Sequence, residues 1–167
     1  MAMKALAAMF EKAGCTAVRT HIQSGNVVFQ APEAVARRIP DTIARAIRTG
    51  VGLTVPVVMR TAADLASVTK RNPFLKPGVQ PEALHVAFLA GVPAADRVKR
   101  LDPKRSPGDS FTVRGRDIYL HLPNGTARSK LTNAWFDAAL ATVSTVRNWR
   151  TVLALAAMAA SREPEQS

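Results

Sequence analysis

Three short polar clusters in this chain combine residue types that can hold a small ligand. Gln23-Ser24-Gly25-Asn26 arranges two amides and a hydroxyl around one glycine. Arg128-Ser129-Lys130 follows the loop-forming Pro123-Asn124-Gly125, so two cations and a hydroxyl stand where a helix is about to open. Exposed N–H groups at a helix start, joined by Arg and Lys, suit a phosphate or a carboxylate. Arg147-Asn148 repeats the theme at the predicted start of the last helix. A cation there is electrostatically disfavoured, so Arg147 needs an anion, either Asp137 or an external ligand. Each cluster also has a plainer reading. Gly25 can supply turn geometry while Ser24 and Asn26 bond local backbone. Ser129 can simply cap a helix, and Arg147 can pair with Asp137 inside the protein.

Other chemistries find less support. His21, His85 and His121 fall in three separate predicted strands without a second ligand two or four positions away, so no metal site is expected. No phosphate-binding glycine loop or dinucleotide fingerprint is present, and GVGLT from Gly50 is too short to count. No cofactor is implied, no catalytic residue is identified, and enzyme status stays undecided. Cys15 is alone and cannot build a disulfide or a thiolate cluster within one chain.

Charge is the most unusual compositional feature: 23 Lys and Arg, 16 of them Arg, against 12 Asp and Glu, a net of +11 over 167 residues. Excess positive charge favours polyanions such as nucleic acid. Here the cations are dispersed, with no block of five or six that would read as a binding tail. Base stacking on a sheet would need exposed strand aromatics, yet aromatics total 5% and Trp135, Phe136 and Trp149 fall on predicted helices. The N-terminal apolar run is too short for a signal peptide, and no segment approaches the roughly 18 apolar residues that span a bilayer. A cytoplasmic protein with no membrane partner is the expectation.

The elements that must position these clusters follow from periodicity. Met3, Leu6, Ala7 and Phe10 form a helical stripe that stops near Gly14. Val18, Thr20 and Ile22 alternate with polar residues like a half-buried strand, then the apolar parity changes to Val27 and Phe29. Either a bulge at Gly25 or a two-residue turn at Ser24-Gly25 explains the change, and the turn is adopted, which makes a hairpin. Val35, Ile39, Ile43 and Ile47 predict a helix that Pro40 kinks or restarts. Leu53 to Arg60 reads as a third strand, at an edge or strand end because of Pro56, and Ala62 to Val68 as a short helix. After a Pro- and Gly-rich stretch, Leu84 to Leu89 reads as a strand and Ala94 to Leu101 as a helix. Ser110 to Leu122 reads as a hairpin turning near Arg114-Gly115. Ser129 to Leu140 and about Thr145 to Ala160 read as helices.

The first half therefore runs α-β-β-α-β. One preceding strand would complete the ferredoxin-like split βαβ arrangement, in which that strand is central. Its absence would leave unpaired backbone on both sides. Three outcomes follow: the natural start lies upstream, another segment or chain takes the position, or the neighbours close up and pair. An upstream start is the expectation.

Three stretches, RTHIQSGNVVF (Arg19 to Phe29), RDIYLHLPNGTARSKLTNAWF (Arg116 to Phe136) and TVRNWRTVLAL (Thr145 to Leu155), resemble the bacterial family catalogued as domain of unknown function 1697. The resemblance runs from the first helix to the last. It implies a small α+β cytoplasmic protein without an established activity. Members of that family usually begin with an apolar strand and a glycine-rich loop ahead of the first helix, so the resemblance also implies an N-terminally truncated member.

The expectation is an α+β fold with a ferredoxin-like half lacking its first strand (1–70), a linker (71–83), a small α+β half with three strands and two C-terminal helices (84–160), and a disordered tail (161–167). A small anionic or phosphorylated ligand bound between the halves is the leading function, contacted by Gln23, Ser24, Asn26, Arg128, Ser129, Lys130, Arg147 and Asn148. The alternative is a non-catalytic protein that meets nucleic acid, or a partner subunit, through its basic surface. A homo-oligomer formed through the missing-strand position is the partner arrangement the topology allows.

Overall fold

A computed structural model describes residues 1–21 and 25–161. It is 42% helical and 20% strand with antiparallel sheets, an α+β fold. The chain forms two compact units, residues 1–62 together with the segment from Leu155 onward, and residues 63–154. Part of the expected hairpin turn and the tail beyond Ser161 lie outside the described residues.

In the first unit, α1 (Met3–Lys12) leads into β1 (Thr16–His21) and β2 (Asn26–Gln30), followed by α2 (Glu33–Val51). The two strands pair antiparallel, so the chain does reverse here. His21 lies opposite Asn26, and Ser24, where the turn was expected, lies outside the described residues. A register shift separates Thr16 from Arg19, with Ala17 at φ 49, so a bulge is also present, inside β1 rather than at Gly25. A left-handed conformation at a residue with a Cβ costs roughly 1 kcal/mol.

Helix α2 runs through Pro40 without restarting. Its inward stripe, Ile39, Ile43 and Ile47, is 1–3% exposed and packs with Leu6, Phe10 and Cys15. Val18, Val27 and Phe29 from the hairpin cover the same cluster.

The third strand expected at Leu53 to Arg60 does not form: no strand is present there. Val55, Val57 and Met59 still face the core at alternate positions. The period of two was therefore a true report of which side chains turn inward. Pairing needs a neighbouring edge in register as well, and no described strand pairs with this segment.

The second unit begins within α3 (Ala62–Arg71). A single 3-10 turn (Pro81–Ala83) precedes β3 (Leu84–Leu89), and α4 (Ala95–Lys99), β4 (Ser110–Arg114), β5 (Asp117–His121) and α5 (Asn133–Leu140) follow. Then come β6 (Ser144–Asn148) and α6 (Trp149–Ala160). The sheet order is β4-β5-β3-β6, all antiparallel, so four strands stand where three were expected. Thr145 to Asn148 is strand, not the first turn of the last helix. Asn148 ends it by accepting the Thr151 N–H at 2.9 Å, which caps α6 one residue later.

The predicted helix from Ser129 likewise starts late. Ser129 Oγ accepts the Leu131 N–H at 3.0 Å, a local bond that competes with helix formation. Thr132 is the cap, accepting from Trp135 N–H at 3.2 Å. One face of the sheet carries Ala87, Leu89, Ile118 and Leu120 against Phe136 and Leu140 of α5. Val86, Phe88 and Tyr119 alternate to the opposite face and are buried as well. Among the described residues no helix is long and apolar enough to cross a membrane.

Candidate ligand cavity

The second unit contains a cavity of about 390 Å³ on the α5 face of its sheet. Such a volume lies within the range of small-molecule pockets, roughly 300–1,000 Å³. Leu120, Leu122, Leu131 and Val146 give it an apolar floor. His85, Thr126, Thr132, Asn133 and Asn148 supply the polar groups.

The topology explains the convergence. His85 and Asn148 are direct partners across β3 and β6, and His85 alternates with Ala87 and Leu89 on the α5 side of the sheet. Thr132 and Asn148 are the N-caps of α5 and α6, so two helix N-termini border one cavity. Their first-turn N–H groups and the positive ends of the helices favour an anion or a carbonyl oxygen there. Thr132 Oγ1 and Asn148 Oδ1 each accept one capping bond, which leaves the Thr132 hydroxyl proton and the Asn148 amide to donate.

His85 is the electrostatically perturbed group of the rim. Burial pushes its pKa below the ordinary 6.5, while the Ala83 carbonyl nearby pulls weakly the other way. That carbonyl does not reach hydrogen-bond geometry, and His85 Nδ1 is sealed from solvent with no partner among the described residues. A neutral imidazole at pH 7 results, able to donate from one ring nitrogen and accept at the other.

The loop forming one wall is pinned from below. Buried Ser106 donates to Asp109 Oδ2 at 2.6 Å and accepts the Lys130 N–H at 3.0 Å. Arg105 Nε donates to the Lys130 carbonyl at 3.0 Å, and its guanidinium lies 4.7 Å from the centre of the Trp135 ring. Lys130 is thus held at both backbone groups, next to Leu131 in the cavity floor.

Of the residues expected to contact a ligand, Asn148 lines this cavity. Ser129 is buried within its wall, turned to the Leu131 N–H. Arg128 and Lys130 are exposed on the same loop and do not line the cavity. Arg147 lies in β6, opposite Val86, its Nη1 on the Val146 carbonyl at 3.0 Å. Burial lowers its pKa. Asp137, expected as its partner, instead accepts from Ser144 Oγ at 2.6 Å. Asn26 belongs to the first unit, buried, with Nδ2 donating to the His21 carbonyl at 3.3 Å. Gln23 and Ser24 lie outside the described residues.

Sequence reasoning missed Thr126, Thr132 and Asn133, and weighed His85 only as a metal ligand. Thr132, three residues before Trp135, carried a capping signal that Ser129 masked. The pairing of His85 with Asn148 had no local signal at all. Among the described residues no three of His, Cys, Asp and Glu come together as a metal site.

No curated protein and no solved structure matches the chain. A family model does match, over residues 1–119, described as a protein of unknown function (DUF1697). That span takes in the whole first unit up to Ala62 and includes His85, whereas the other cavity residues follow it. It also ends short of the resemblance read through Leu155. With well over half its length covered, the chain belongs to the DUF1697 family.

Proposed function

We infer that the second unit binds a small ligand with an apolar body and an anionic or strongly polar end. The reading locates the ligand in the β3–β6 cavity, within one unit rather than between the halves. One observation carries it: two helix N-caps and the imidazole of His85 meet on an apolar floor. The floor favours a hydrophobic body. The caps and ring offer directed polar contacts, and Arg128 and Lys130 on the wall loop add long-range attraction for an anion.

The test is a thermal-shift panel of inorganic phosphate, nucleoside monophosphates and aryl carboxylates. A ligand present at 100 times its Kd stabilises the protein by about 2.7 kcal/mol. Thr126→Trp would occupy the mouth of the cavity from an exposed position and should abolish the shift. A panel without any shift, or a shift that survives Thr126→Trp, would overturn the reading.

A second reading rests on α2. Arg37, Arg38, Arg45 and Arg48 are all exposed and lie opposite the buried Ile39, Ile43 and Ile47. Such a face suits a polyanion, including nucleic acid, and binding through it would weaken steeply with salt.

A further inference from the structure

We propose that the β3–β6 cavity selects an aryl or alkyl monocarboxylate over phosphate esters and over uncharged amides. The proposal rests on the cavity reading above and names the polar group that the rim is built to hold. That rim presents hydrogen-bond donors. Asn148 Oδ1 already accepts the Thr151 N–H, and Thr132 Oγ1 already accepts the Trp135 N–H. Each residue therefore has a donor left, Nδ2 of Asn148 and the hydroxyl proton of Thr132.

His85 adds a third. Of its two ring nitrogens only Nδ1 is sealed from solvent, and it has no partner among the described residues. A sealed N–H without an acceptor is rarer and costlier than a sealed lone pair. The hydrogen-bond pattern thus assigns the proton of the neutral ring to Nε2, the nitrogen that stays open.

Charge then decides between the anions. Among the described residues no Lys, Arg, Asp or Glu lines the cavity. A phosphate monoester carries close to two charges at neutral pH. Over a floor of Leu120, Leu122, Leu131 and Val146 it would lose water without meeting a cation. A carboxylate brings a single charge spread over both its oxygens. Bonds to an ionised acceptor are also about twice as strong as neutral ones. His85 and Asn148 are direct partners across β3 and β6, so their donors stand side by side, as the paired oxygens of a carboxylate require. An amide offers one oxygen only, and its N–H groups would meet further donors.

The test is titration calorimetry on the full chain with benzoate, benzamide and phenyl phosphate, which share a ring and differ in the polar end. Benzoate should bind about tenfold tighter than either of the others. Two substitutions alter the rim while keeping its helices. Aspartate caps a helix as well as asparagine does, and an anion suits a first helical turn. Asn148→Asp, and separately Asn133→Asp, should each weaken benzoate by about tenfold or more, while urea midpoints stay near wild type. If phenyl phosphate or benzamide bound as tightly as benzoate, carboxylate selection would be overturned and the cavity reading would stand. If none of the three bound, both would fall. Benzoate binding that survives both aspartate substitutions would also overturn the proposal.

Discussion

Replacing Ser106 by alanine tests how the cavity wall is held. Ser106 is 5% exposed, and its hydroxyl has two bonds: it donates to Asp109 and accepts from the Lys130 N–H. Losing the first costs about 1 kcal/mol, because Asp109 is half-buried and water can take the hydroxyl's place. Losing the second leaves a part-buried amide without its acceptor, worth about 1–3 kcal/mol. The sum is about 2–4 kcal/mol. For a chain of this length that corresponds to a melting shift of roughly 5–10 °C. Asp109→Ala removes only the first bond and should cost about 1 kcal/mol. Urea unfolding followed by fluorescence reads the correct unit, since Trp135 and Trp149 both lie within residues 63–154. Amide exchange at Lys130 should accelerate in Ser106→Ala and remain near wild type in Asp109→Ala. If Ser106→Ala cost no more than Asp109→Ala, the Lys130 amide would not depend on the hydroxyl, and the account of the wall would fail.

Two further outcomes follow from the same physics. Pro40 leaves the Ala36 carbonyl without its helical partner inside α2. Pro40→Ala recovers about 3 kcal/mol of helix preference, offset by about 1 kcal/mol of added freedom in the unfolded chain and by some lost packing. A net gain of about 1–2 kcal/mol should appear in denaturant unfolding, and a loss would mean that the proline ring's contacts outweigh the missing bond. The depressed pKa of His85 makes the folded protein bind its proton later than the unfolded chain does. Stability should therefore be full above the ordinary value of 6.5 and decline as pH falls below it. His85→Gln should flatten that decline in urea midpoints measured from pH 7.5 to 5, whereas an unchanged slope would assign it to other groups.

By itself the sequence settled whatever depends on local spacing. Period-four isoleucines defined the buried face of α2, and glycines marked the ends and turns. Alternation at Val55, Val57 and Met59 named the inward side chains even where no strand formed. The parity change between Val18 and Phe29 allowed either a bulge at Gly25 or a reversal, and the antiparallel pairing of β1 with β2 decided for the reversal, with a bulge inside β1 at Ala17. Tertiary structure decided whatever depends on which neighbour is available. Ser129 looked like a helix cap but bonds Leu131, so α5 waits for Thr132. Ser144 to Asn148 became a strand because β3 offers it an edge, although the chain from Thr145 onward reads as helix. His85 and Asn148, 63 positions apart, meet only through that pairing. Side-chain period is written into the chain one residue at a time, whereas hydrogen-bond partners across a sheet exist only after distant segments have met.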